Sequence, residues 1–133
     1  MGLIIITHDL GVVAGRTDDI AVMYAGQIVE KAPTAALFDA HRNRYTAALL
    51  RSMPRLEHQP HQKLATIPGA PPRLSALPPG CRFAPRCGFA EPACTESALG
   101  LVEETPGHQY RCVRPAGHEA QEAAYVSASG GQQ

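Results

Sequence analysis

The sequence predicts an α/β chain with a loop-rich, cysteine-bearing extension, on three observations. Large apolar side chains crowd into residues 3–50, where short β-branched runs alternate with helix-like segments. Proline then takes over, and residues 54–80 carry seven of the 12 prolines. All four cysteines fall within residues 81–112. The 133 residues therefore divide into a packed piece (1–53), a Pro-rich linker (54–80), a four-cysteine module (81–115) and a small, polar tail (116–133) expected to be disordered.

Each element has a local reason. Residues 3–7, LIIIT, form a continuous apolar run of the kind buried on both faces of a parallel sheet. Asp9 is a candidate N-cap for a helix from Leu10 to about Arg16, with Val12 and Val13 on its buried side. The Asp18-Asp19 pair ends it. Residues 20–24 read as a second strand, Ala25-Gly26 as a tight turn, and residues 27–30 as the returning arm of a hairpin. Thr34 is placed to cap a helix over 35–40. A further helix over 45–52 carries Leu49 and Leu50 and stops before Pro54.

Composition excludes several classes. Twelve basic and 12 acidic residues give a formal net charge of zero, so no nucleic-acid partner is expected. No apolar stretch approaches the roughly 20 residues of a membrane-spanning helix. The N-terminus has neither a basic segment nor a cleavage-site pattern of a secretory signal. A cytoplasmic setting is expected, in which cysteines serve metal or cluster ligation more often than structural disulfides.

His8 closes the first apolar run. Position alone allows a plain strand terminus, but the C-terminal end of a buried parallel strand is also where open α/β sheets bind ligands. The surrounding sequence IIITHDLGVVAGRTDDIAVMYAGQIVEKA resembles, over residues 3–40, the end of the ATP-binding subunit of ABC transporters. The resemblance implies a P-loop NTPase fold, of which this chain is the C-terminal fragment. It gives His8 the role of a switch histidine, catalytic and in contact with the γ-phosphate of ATP. An imidazole there can donate to a γ-phosphoryl oxygen and orient the attacking water. Thr7 and Asp9 take structural roles. The phosphate loop G-x-x-x-x-G-K-S/T, the LSGGQ-type signature and the strand ending in Asp-Glu do not occur in the sequence. In the family all three precede the histidine. The expectation is therefore the C-terminal part of a longer ATPase, inactive alone, with ATP and Mg²⁺ bound by the full-length subunit.

The stretch PTAALFDAHRNRYTAALLRSMPRL narrows the resemblance to the subunits that power oligopeptide and dipeptide importers, close to nickel importers. Phe38, Tyr45, Thr46, Leu49, Leu50, Ser52 and Pro54 stand in matching places. The usual His-Pro before the tyrosine is replaced by Asn43-Arg44, which removes a proline from the helix start. These helices read as packing elements.

Cys81, Cys87, Cys94 and Cys112 give C-x5-C-x6-C-x17-C and resemble the C-terminal extension of the same importer subunits, together with Gly80, Phe83, Pro85, Arg86, Ala90, Gly107 and His108. Three readings stay open for them. A 4Fe–4S cluster takes four thiolates and tolerates wide spacing, and the resemblance points to such a cluster in some members. Structural zinc usually shows close C-x2–4-C pairs, which do not occur here. The third reading holds no metal. Arg82, Arg86 and Arg111 adjoin the cysteines and are candidates to offset thiolate charge. His108 could be a ligand in place of a cysteine, but the preferred reading is a hydrogen-bonding or turn residue after Gly107.

The resemblance implies partners as well: transmembrane permease subunits, a second ATP-binding subunit and, indirectly, an extracytoplasmic solute-binding protein. It places the protein peripherally on the cytoplasmic face of the cell membrane and assigns it to ATP-driven uptake of peptides or related solutes. The rival reading is a non-enzymatic metal- or Fe–S-binding adaptor, in which His8 is only a strand terminus.

Overall fold

The structure is a computed structural model that describes residues 1–53 and 66–116. The expected linker residues 54–65 and tail residues 117–133 lie outside the described residues. Helices α1 (Leu10–Val13), α2 (Thr34–Ala40), α3 (Arg44–Ser52) and α4 (Pro92–Glu96) accompany strands β1 (Asp19–Tyr24), β2 (Gln27–Pro33), β3 (Val102–Thr105) and β4 (His108–Tyr110). A 3₁₀ turn spans Ala84–Arg86. The strands form one antiparallel sheet in the order β1-β2-β4-β3. No helix among the described residues is long and apolar enough to cross a membrane.

The first apolar run departs from expectation. Residues 3–7 form no strand, and Leu3, Ile4 and Ile6 are 82 %, 88 % and 96 % exposed. A parallel strand is held by its neighbours, and among the described residues no strand lies beside this one. Its apolar character therefore has nothing to pack against. The helix after it is also shorter than expected. Asp9 does cap it, accepting from the Gly11 N–H at 2.9 Å, but α1 ends at Val13, with Val13 buried and Val12 exposed.

The hairpin follows the sequence closely. In β1, Ile20, Val22 and Tyr24 are buried while Asp19, Ala21 and Met23 face solvent, the period-2 alternation of a half-buried strand. Ala25 and Gly26 both take positive φ, 49° and 78°, as the tight turn between twisted strands requires. The Arg82 guanidinium donates to the Ala25 carbonyl at 2.6 Å and braces that turn. β2 runs to Pro33, three residues beyond expectation, because its far edge is paired as well. The β1–β2 register passes from Val22↔Glu30 to Met23↔Ile28, so Val29 is the extra residue of a bulge. Val29 and Glu30 are both buried as a result.

Thr34 does not cap α2; it is the first helical residue, and Pro33 occupies the cap position without a side-chain bond. The Thr34 hydroxyl donates instead to the Thr17 carbonyl at 2.6 Å, fastening α2 to the end of the α1 segment. α2 lies against β1 and β2 and contributes the fully buried Leu37. α3 begins on Asn43, whose Oδ1 accepts from the Tyr45 N–H at 2.8 Å.

Residues 1–53 and the cysteine segment share this sheet. β4 pairs with β2 through Glu30↔Tyr110 and Lys31↔Gln109. Phe83 inserts beside Tyr24 and Tyr45, with the three ring centroids 4.5–5.4 Å apart. Edge and tilted contacts of this kind add about 0.5–1.5 kcal/mol per pair beyond area burial. Beneath the junction lies Glu30, with 0 % exposure. Its Oε1 accepts from the Arg42 N–H at 2.7 Å and from His108 Nε2 at 2.6 Å, and its Oε2 from the Asn43 N–H at 3.0 Å. Glu30→Ala leaves these buried donors without an acceptor. Urea denaturation is expected to show a loss of about 3–5 kcal/mol, the usual cost of removing one partner of a buried ionic cluster, with Glu30→Gln losing less.

Candidate functional site

The four cysteines come from three pieces of chain, two of them from the ends of one turn. Cys81 opens the turn before the 3₁₀ segment, Cys87 closes that segment, Cys94 sits within α4, and Cys112 follows β4. All four are free thiols, and all four line one cavity, together with Arg44, Phe89 and other residues of the same segments. Among the described residues, no group of three or more His, Cys, Asp or Glu side chains is gathered as for a single metal ion.

Two backbone features hold this arrangement. The Cys81 N–H donates to the Cys94 carbonyl at 2.7 Å, joining that turn directly to α4. Gly80 passes against that same carbonyl so closely that a Cβ at position 80 would lie 2.1 Å from it, well inside contact distance. Backbone N–H groups also face sulfur. The Phe89 N–H donates to Cys87 Sγ at 3.4 Å, the amides of Phe83 and Ala84 reach Cys81, and those of Arg44 and Arg114 reach Cys112.

Burial pushes the Cys81, Cys87 and Cys112 thiols up, against the opposing pull of these amides. Cys112 is pushed up to about 11, first by burial and further by the neighbouring Cys87 and Cys81 thiols. The neutral thiol is therefore favoured in the metal-free fold, and any metal that takes these groups as thiolates displaces protons.

The arginines beside the cysteines are committed elsewhere. Arg82 holds the Ala25 carbonyl; Arg86 donates to the carbonyls of Ile67, Pro68 and Gly69 and to the Tyr24 hydroxyl. Arg111 borders the cavity but donates to the carbonyls of Ile28 and Leu99. The guanidinium that acts on a cysteine is that of Arg44, which lines the cavity and favours the Cys87 thiolate. Asn43 and Arg44 are the residues that sequence reasoning passed over. Their one signal is the departure from His-Pro at the start of α3. His108, the first residue of β4, is buried and bound to Glu30, outside the cavity lining.

His8 lies apart from this cavity. It is exposed, between the unpaired apolar run and the Asp9 cap. The described residues bring no other candidate catalytic group to it.

Comparison with known proteins finds relatives over most of the chain. A family profile described as "Oligopeptide/dipeptide transporter, C-terminal region" matches residues 29–94. A Brucella ovis protein named for peptide import and ATP binding is 47% identical over 119 residues, covering 86% of this chain and 35% of the relative. The oligopeptide transport ATP-binding protein OppD of Mycobacterium tuberculosis is 46% identical over 113 residues, covering 85% of this chain and 18% of the relative. The chain thus spans a minor part of the length of the relatives it matches.

Two outcomes follow from the geometry. Gly80→Ala must displace the Cys94 carbonyl; a loss at or above the usual 1–3 kcal/mol of overpacking is expected in thermal unfolding, with faster alkylation of Cys94. For pH, the folded Cys112 value of about 11 stands above its ordinary 9.0, so its contribution to stability is complete below about pH 9 and disappears as pH rises through 11. The metal-free chain is expected to weaken over that window in urea titrations, and Cys112→Ala to flatten the dependence.

Proposed function

Because this chain belongs to the family of oligopeptide/dipeptide transporter C-terminal regions, we propose that it is the C-terminal part of an ATP-binding subunit of a peptide-type ABC importer. The observation that carries the reading is the 46–47% identity over most of this chain to relatives named for peptide transport and ATP binding. In the assembled subunit, residues 1–53 complete a P-loop NTPase domain, and the Leu3–Ile6 run supplies its last core strand. The subunit works with a second ATP-binding subunit beneath transmembrane permease subunits, on the cytoplasmic face of the membrane. An extracytoplasmic solute-binding protein delivers the cargo.

His8 in this reading contacts the γ-phosphate. Its imidazole donates to a γ-phosphoryl oxygen and orients the attacking water, while the Asp9 cap fixes the backbone that follows. Cys81, Cys87, Cys94 and Cys112 are proposed to hold a 4Fe–4S cluster. Four thiols lining one cavity, with amides directed at three of the sulfurs, suit a four-thiolate cluster, whose properties depend on such hydrogen bonds. Such a group, when bound, supplies a one-electron redox centre and cross-links the turn, α4 and the segment after β4. The chain's own part is to hold the sulfurs, direct amides at them and exclude water.

Two measurements test the reading. The 133-residue chain is expected neither to turn over ATP nor to bind it tightly, whereas in the full-length subunit His8→Ala should lose about 10²–10³ in turnover while keeping most ATP binding. His8-dependent turnover by this chain alone, or an undisturbed rate in the full-length variant, overturns it. Anaerobic purification should give a brown protein with about four irons per chain. A colourless protein with one stoichiometric zinc rules out the cluster.

A further inference from the structure

Arg44 stands where the resembling subunits carry proline, and it lines the cysteine cavity. It is only 4 % exposed. Its Nε donates to the Arg114 carbonyl at 2.8 Å and its Nη2 to the Pro115 carbonyl at 3.1 Å. Its guanidinium carbon lies 3.8 Å from the centroid of the Phe89 ring, a stacked cation–π contact. Its backbone N–H, one of those that a helix start leaves without an intrahelical acceptor, reaches Cys112. It lines the cavity, and its charge favours the Cys87 thiolate. One residue of α3 thus touches the turn between Cys87 and Cys94 and the backbone just beyond Cys112.

We infer that Arg44 is a positioning residue of the four-cysteine site: it clamps the Phe89 turn and the 114–115 backbone over the cavity, and its buried charge favours the more negative, reduced state of an iron–sulfur cluster held there. The inference rests on the cluster reading given above. Its chemistry does not depend on the family, since a proline at this position could neither donate an N–H to Cys112 nor carry charge. Lysine is a poor substitute for the clamp, because the planar guanidinium binds two carbonyls and a ring at once and an ammonium does not. Lysine does retain the charge, so the two roles separate by substitution.

The test uses the 133-residue chain, reconstituted anaerobically with iron and sulfide, with the cluster reduced stepwise by dithionite in the presence of mediators. Arg44→Met is expected to lower the reduction equilibrium constant about tenfold, about 59 mV for one electron, and to release iron to a ferrous chelator about ten times faster. Arg44→Lys should keep the potential of the unmodified protein but release iron at the faster rate. Phe89→Leu should speed release and leave the potential alone. If Arg44→Met fails to fold, Arg44→Lys decides the clamp, and release at the unmodified rate overturns it. An Arg44→Met protein with unchanged potential and unchanged release overturns the inference while leaving the cluster reading intact. An unmodified chain that takes up no iron overturns the cluster reading and this inference with it.

Discussion

A single buried carboxylate sets the positions on which the rest of this structure depends. Glu30 is a charged side chain with no exposure, and such a group persists only if its oxygens are well supplied with donors. The donors are the Arg42 and Asn43 amides, just before α3, and the His108 ring on β4. One side chain on β2 therefore fixes where a helix begins and where a distant strand lies. Asn43 extends the same network, since its Nδ2 donates to the Arg111 carbonyl at 2.7 Å beside the last cysteine. An aspartate, one methylene shorter, could not keep all three contacts without moving α3 toward the sheet.

The cysteine segment has little apolar material of its own and borrows order from this junction. Phe83 enters the tyrosine pair, Arg86 closes on the 67–69 backbone, and Ala116 is drawn in by a bond from its N–H to the Arg42 carbonyl at 2.7 Å. The four sulfurs are thereby held around one space by contacts that do not involve sulfur. Within that space burial favours neutral thiols while the directed amides favour thiolates. This opposition suits a site whose charge state is set by what it holds.

The parts legible in the sequence were those whose causes are local. The β1–β2 hairpin could be read because alternation at Ile20, Val22 and Tyr24 and the Ala25-Gly26 turn are written within a few residues of each other. The Asp9 cap was legible for the same reason. Residues 3–7 carried a true strand signal, but a strand needs neighbours, and none is present among the described residues. Thr34 has the side chain of a cap, yet the carbonyl of Thr17 holds its hydroxyl. The cysteine spacing suggested a shared site, but nothing local foretold that β4 would pair with β2. Glu30 read only as the last residue of the hairpin's returning arm. Asn43-Arg44 stood out only as a departure from a pattern, because the groups they bind lie some 70 positions further along the chain.

The pairing of β2 with β4 also has a bearing on how the chain acquires its structure as it is made. Glu30 and His108 are separated by 78 positions, so this contact closes a long loop, whereas the β1–β2 hairpin closes a two-residue turn. Contacts of low sequence separation form early and distant ones late. During synthesis the hairpin can fold as soon as Pro33 is free, but its outer edge and the Glu30 carboxylate stay open until Tyr110 has emerged. For most of that interval the charge on Glu30 is solvated and the edge of β2 is unpaired. An unpaired edge of this kind can accept another strand, so β4 both completes the sheet and protects it.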